Sequence, residues 1–411
     1  MSLEHMKFSS RSRRIAASPA VAGHRPLVLA LALSACFAAP TLHAQSTGAQ
    51  AIHGAAALSR SGANLTVTTQ NGAGTSHSAI NWQSFNVPGG STTHFAQPNA
   101  ASTSINRVLG NDPSAIFGTL SSNGRLVLVN PAGIAMGAGA VVDTAGFTAS
   151  TLRMSDADAL AGRMRFGDGS LAGSLSVRGR VVARGGDVVL IAPQIDTGAQ
   201  AVVQASGGDT LLVAGQKVSL TGRGLEGIQL ELQAPADRAL NLGTLKGDSV
   251  AVFASQLRHS GLVQAQSATV EGGKVLLRGQ VSADVTGKVI ATRGDKGGAI
   301  HVTAAQTTLH ATAQLDASGP AGGGEVLVGG GWQGKGPLAN AQNTTALAGS
   351  TIHADSTSAG NGGTVVLWSD GATRTAASIS ARGGPQGGDG GRALAAGGPR
   401  RGWTGWCLPP P

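Results

Sequence analysis

Three groups of residues in this chain could do chemistry, and each has a competing explanation. Arg293-Gly294-Asp295 spells an integrin-type cell-binding tripeptide. Arg-Gly also fills an equivalent slot at Arg184-Gly185 and Arg382-Gly383, so a repeated turn accounts for two of the three letters, and short motifs match by chance. Gly222-Arg223-Gly224-Leu225-Glu226-Gly227 has the spacing of a dinucleotide fingerprint but lacks the strand-turn-helix setting that gives those glycines a role. The histidines of the body (His53, His77, His94, His259, His301, His310 and His353) are dispersed, with no close pair in sequence and no neighbouring carboxylate cluster. Most acids stand singly in Gly-Asp turns. Catalysis needs carboxylates or bases converging on one cleft, and metal binding needs clustered ligands. No catalytic residues, metal, cofactor or small-molecule substrate are expected.

The elements that would hold such residues are short strands. The chain has 63 glycines without a three-residue period, no tyrosine and 12% charged residues, which excludes collagen. Abundant Val and Leu runs argue against disorder. Of the net charge of +9, the first 44 residues carry +4 and the last 20 carry +3, leaving +2 on the body. A body so nearly neutral lacks the basic stripe that a phosphate backbone requires, so nucleic acid is not an expected partner. Both cysteines, Cys36 and Cys407, lie outside the body, which therefore holds no disulfide or thiolate site.

Residues 1–44 read as an extended signal peptide. A basic region (Arg11, Arg13, Arg14, Arg25) precedes an apolar run from Leu27 and a small-residue site ending at Ala44, with cleavage before Gln45. The run is too short for a permanent membrane span. Leu33-Ser34-Ala35-Cys36 resembles a lipobox, an alternative that would make Cys36 a lipidated terminus; cleavage at Ala44-Gln45 is the preferred reading.

From about residue 171 the pattern is periodic. GGDVVLIAPQ, GGDTLLVAGQ, KGDSVAVFAS, GGKVLLRGQ, GGAIHVTAA, GGEVLVGG and GGTVVLWSD fill one slot, and VVARG, VVQASG, IATRG, LDASG or ISARG precedes several of them. Gly pairs at 185, 207, 272, 297, 322, 362 and 383 are spaced by 22, 65, 25, 25, 40 and 21 residues, read as one, three, one, one, two and one multiples of a repeat near 22. Short strands at this period with no helical pattern predict an all-β, right-handed parallel β-helix with an N-terminal β cap. Roughly nine coils at about 4.8 Å would make a rod on the order of 40 Å long. Residues 392–411 read as an irregular tail, and the absence of a cap there suggests that the reading frame is truncated or shifted near Gly391.

The stretch 105–154, together with two motifs before it, carries a resemblance. INWQSFNV (80–87), HFAQP (94–98), INRVLG (105–110), GTLSSNGRLVLVNPAGI (118–134) and GFTAST (146–151) resemble, in order and spacing, the two-partner secretion domain of filamentous haemagglutinin-like exoproteins, in the manner of the high-molecular-weight adhesin branch. The likeness covers residues 45–300. VVLWSDGATR (365–374) and ISARGGPQGGDGG (379–391) resemble the β-helix that follows in such adhesins, where a further strand is expected just after Gly391.

The resemblance implies a division into a secretion domain with cap and first coils (45–170) and β-helix repeats (171–391). It implies passage through the periplasm of a Gram-negative bacterium and recognition by the periplasmic POTRA domains of a dedicated outer-membrane β-barrel transporter. A monomer at the cell surface or outside it, with a host-cell receptor or glycan as partner, would follow. The delivery stalk of a contact-dependent toxin, or a polysaccharide-active β-helix enzyme, are the alternatives. Asn106, Arg107, Asn130, Pro131 and Gly133 are candidates for transporter recognition or for nucleating the first coils; the second is favoured because Asn and Pro-Gly chemistry shapes turns. The family motif usually reads Asn-Pro-Asn-Gly, and Ala132 here removes one amide. Trp82, Phe85 and Phe95 are expected to pack beneath the cap.

Overall fold

The computed structural model describes residues 45–398 apart from 168–171, 223–224, 226–227, 232–235 and 270–271. The stretch read as a signal peptide, the lipobox-like residues ending at Cys36, Ala44, Cys407 and the end of the tail lie outside the described residues, as does most of the fingerprint-like stretch 222–227. Gln45 is the first residue described.

The described chain winds as a parallel β-helix with three faces. The first face stacks twelve strands, from His77–Trp82 to Arg392–Gly397. The second begins at Ser114–Ile116 and the third at Asn64–Gln70. Parallel pairing starts well before residue 171, and none of it breaks at 170: Val141–Thr144 pairs directly with Arg180–Arg184. Twelve strands at about 4.8 Å give a stack of about 53 Å, longer than the repeat count predicted.

Alternation within each strand decides what faces the lumen. In Val188–Ala192, Val188, Leu190 and Ala192 join the continuous interior column, whereas Val189 and Ile191 point outward. A fully buried Val or Leu contributes about 1.5–3 kcal/mol, but only if the neighbouring coil covers it. No coil is therefore stable alone, and the stack is the unit of stability.

Three intervals in the Gly spacing are corrected, the last because Thr364 pairs with Arg392, which puts Gly391 rather than Gly383 in the slot of Gly363. The 65-residue interval is two coils, because Thr210 pairs with Val250 and Val250 with Val275. The first of these coils is lengthened by an antiparallel hairpin, Lys217–Leu220 with Ile228–Glu231. The 40-residue interval is one coil, Val326 to Val365, lengthened by the excursion around Trp332–Gly334. Length near a multiple of the repeat does not distinguish an extra coil from a decoration.

The N-terminal cap is present. Gln50–His53 runs antiparallel to His77–Trp82, and Ala55–Ser61 antiparallel to Asn64–Gln70, covering the first strand edges. Beneath it Trp82, Phe85 and Phe95 are buried, with Trp82 edge-on to Phe85 at 5.3 Å. At the other end, the irregular tail begins later than residue 392. Arg392–Gly397 is a strand paired in register with Thr364–Ser369.

Candidate functional site

The candidate residues sit where the first coils form. In Thr103–Val108 the even positions face the lumen, so Asn106 points inward and is 1% exposed. Its Oδ1 accepts from the Trp82 indole N–H at 2.9 Å, and its Nδ2 donates to the Ser104 carbonyl and hydroxyl at 3.1 Å. An amide inside an apolar column is costly unless it is satisfied, and here it ties two successive coils together.

Arg107 faces the opposite way and is nearly buried against a small outer lobe. This lobe consists of one helical turn, Asp156–Leu160, and an antiparallel sheet of Met164–Phe166, Lys217–Leu220 and Ile228–Glu231. Ser155 caps the turn through the Asp158 N–H. The lobe covers an apolar outer surface, with Leu152, Met154, Phe166 and Val218 against Ile105, Val127, Ile191 and Val213. The Arg107 guanidinium donates to Asp156 at 2.5 Å, so a residue of the second coil clamps the lobe.

The Asn-Pro-Ala-Gly turn joins Arg125–Val129 on the first face to Ile134–Met136 on the second. Asn130 is fully buried. Its Nδ2 donates to the Asp112 carbonyl (3.0 Å) and the Ser114 hydroxyl (2.9 Å), while its Oδ1 accepts the Ala132 N–H (3.0 Å). Pro131 presets the turn, and Gly133 closes it by donating to the Asn130 carbonyl at 3.0 Å with φ at 129°, a region that side chains disfavour. Gly173 of the next coil donates to the Pro131 carbonyl at 2.8 Å. Of the four, Pro131 and Ala132 are only half-buried, and Asn130 and Gly133 are buried.

The fold thus brings Asn106, Arg107, Asn130, Pro131 and Gly133 into adjacent coils, mostly as interior and clamp residues. Arg293-Gly294-Asp295 lies far along the stack, at the exposed tip of a tight hairpin between Lys288–Arg293 and Lys296–Gly297. Gly294, with φ at 55° and nothing within 4 Å of a Cβ placed there, has the geometry that such a turn requires.

Sequence spacing also missed pairings made by stacking. His53 and His77 are a close pair, their rings stacked at 4.3 Å, with His77 bonded to the Leu160 carbonyl of the outer lobe at 3.2 Å. Three other histidines each meet a carboxylate: His301 with Glu325, His310 with Asp284 and His353 with Asp355. The Gly-Asp turns are not isolated either. The Asp209 N–H donates to Asp187 at 3.0 Å, the Ser249 N–H donates to Asp209 at 2.8 Å, and burial together with Asp187 and Asp248 pushes Asp209 up to about 6. Among the described residues no group of three or more His, Cys, Asp or Glu is arranged to hold a metal ion.

The family model described as the TPS secretion domain matches residues 43–322, more than half of the chain. The chain belongs to that family. Its β-helix is similar to the crystal structure of the HMW1 secretion domain from Haemophilus influenzae, with a TM-score of 0.75 and 28% identity over 85% of this chain and 94% of that one. Two heme/hemopexin-binding proteins of Haemophilus influenzae are also similar, one 35% identical over 104 residues and the other 37% over 78. Those alignments cover 25% and 19% of this chain but only 11% and 8% of the relatives. The chain therefore carries a TPS secretion domain and spans only a small part of the length of the curated relatives it matches.

Proposed function

We propose that this TPS domain reaches the periplasm by its signal peptide, is taken by the POTRA domains of its transporter, and folds from its capped end on the cell surface or outside it. Within that route, Asn106, Arg107, Asn130, Pro131 and Gly133 nucleate the first coils rather than contact the transporter in the folded state. The observation that carries this reading is the burial of the three polar side chains: Asn130 is 0% exposed, Asn106 1% and Arg107 6%, and each is bonded within the domain. Each coil added to that nucleus buries more apolar surface, which opposes backsliding of the exported chain. A host-cell ligand, protein or glycan, is the second half of the proposal. The exposed hairpin at Arg293-Gly294-Asp295 is one place where a protein receptor would find a ligand.

Co-expression with the cognate barrel tests the first half. The chain should appear in the medium only when the barrel is present, and periplasmic retention with the barrel expressed would refute it. Asp295→Ala should leave that export unchanged and tests the hairpin separately, by attachment of coated particles to host cells.

A further inference from the structure

The second face carries a feature apart from the residues assigned to the first coils. Over five successive strands, from Leu175–Val177 to the second half of Lys274–Val285, it opens into a groove of about 480 Å³. That volume lies within the roughly 300–1,000 Å³ of sites that hold small ligands. The residues facing the lumen here are Leu175, Ile195, Ala239, Leu257 and Ala283, so their neighbours in the strands line the outside. Register places Gln194, Arg238, Gln256 and Ser282 in one row and Asp196, Leu240, Arg258 and Asp284 in the next. Planar amides, guanidinium groups and hydroxyls therefore repeat at the coil spacing of about 4.8 Å, with Leu240 as a small apolar floor between them.

The charges of the groove are unequally committed. Asp196 is held by Arg178 at 2.7 Å, and Asp284 by His310 at 3.1 Å. Arg238 reaches only the amide oxygen of Gln194, at 3.4 Å, and Arg258 has no hydrogen bond or ion pair among the described residues. The two guanidinium groups sit diagonally on adjacent coils, since Arg238 pairs in register with Gln256 and Leu240 with Arg258. Guanidinium is suited to bidentate capture of carboxylate.

We infer that this groove binds an extended oligosaccharide bearing carboxylates, with uronate groups on Arg238 and Arg258 and hydroxyls on Gln194, Gln256 and Ser282. This inference deepens the host-ligand half of the proposed function and is independent of export. A peptide is the poorer fit. Extended peptides bind by pairing with a free strand edge, and both edges of every strand flanking Arg238 are used by neighbouring coils. A neutral glycan is also the poorer fit, because the groove has no aromatic platform and offers hydrogen bonds and two guanidinium groups instead, beside the carboxylates of Asp196 and Asp284 that Arg178 and His310 hold.

The test is titration of the purified, folded domain with an oligogalacturonate long enough to span the groove, followed by calorimetry. A neutral cellooligosaccharide and poly-glutamate serve as comparators. Arg258→Gln and Arg238→Gln, both exposed and therefore tolerated by the fold, should each weaken uronate binding about tenfold. Arg374→Gln, on the same face beyond the groove, should leave it unchanged. No uronate binding would overturn the inference, as would equal binding of the neutral chain or of poly-glutamate. Uronate binding that both groove variants retain would overturn the groove while leaving a glycan ligand elsewhere on the domain intact.

Discussion

Replacing Asn130 by alanine should loosen the first coils whether or not a transporter is present. The side chain is fully buried, and its loss strands three partners: the Asp112 carbonyl, the Ser114 hydroxyl and the Ala132 N–H. A buried polar group left without a partner costs about 1–3 kcal/mol. Of the three only the Ser114 hydroxyl is buried, Asp112 being exposed and Ala132 half-buried, so water takes up part of the loss and the substitution should cost about 2–3 kcal/mol. Because coils stabilise one another through their interfaces, the loss should be felt first in the cap and the coils beside it. Urea unfolding of the purified domain, followed by circular dichroism and by hydrogen exchange, would measure it. The expected result is a lower midpoint, with protection lost first around Trp82 and Asn106, whose own bond lies one coil away. Asn130→Asp keeps the acceptor for Ala132 but loses both donors, so it should fall almost as far. Ala132→Asn, at a half-buried site, should move stability by no more than about 0.5 kcal/mol. An Asn130→Ala domain of unchanged stability that is no longer exported would refute the reasoning and make Asn130 a contact residue.

Three further outcomes follow from the same geometry. Asp156→Ala removes the partner of nearly buried Arg107 and should cost about 1–3 kcal/mol, with limited proteolysis cutting the outer lobe before the stack. Asp209→Asn keeps the acceptor for Ser249; because the folded carboxyl is raised to about 6, its contribution is fully present below the unfolded value of 3.8 and lost as pH rises through 6, so the variant should gain about 1 kcal/mol at pH 8, solvent screening of this part-exposed group included, and nothing at pH 3.5, read from urea midpoints. His259 sits in the lumen between Asn241 and the Lys288 carbonyl, and burial lowers it from 6.5 to about 4. The unfolded chain takes the proton first, so stability should fall by up to about 3 kcal/mol between pH 6.5 and 4, and His259→Gln should flatten that slope between pH 6.5 and 5, where few carboxylates titrate.

How much of this was legible in the sequence depended on whether the information was local. Alternation in VVLIA and LLVA, and glycines at the turns, announced strands and coils because each signal lies within a few residues. The cap aromatics were legible for the same reason. Asn130 was recognisable as a turn former, but its bonds to Asp112 and Ser114 span 18 and 16 residues and exist only once two coils have stacked. The His53–His77 pair and the Asp187–Asp209 contact were missed because spacing along the chain says nothing of distance across coils. Decorations hid in the period. The outer hairpin and the Trp332 excursion lengthen single coils to about two repeats, and only register separates the cases. The Ser155-x-x-Asp158 capping pattern was present in the sequence and went unread, because a helix of five residues has no periodicity to support it.

A lumen made only of Val, Leu and Ala has a weakness that the polar residues correct. Every coil offers much the same apolar face, so a strand could dock one coil out of place and still bury its side chains. Buried polar groups forbid that error, because a slipped register leaves them unpaired. Several of them occur where a mistake would propagate furthest. Asn106 bridges the first two coils to Trp82, and Asn130 fixes the exit from the third strand of the first face. Thr197, Asn241 and His259 form the next such ladder, on both sides of the coil that the outer hairpin lengthens. A chain that folds as it emerges needs its register set at the capped end and checked again after an interruption. Buried polarity recurs further along, with Thr210 on the Lys246 carbonyl and Thr344 on the Trp368 carbonyl, so register is set at the nucleus and checked again along the stack.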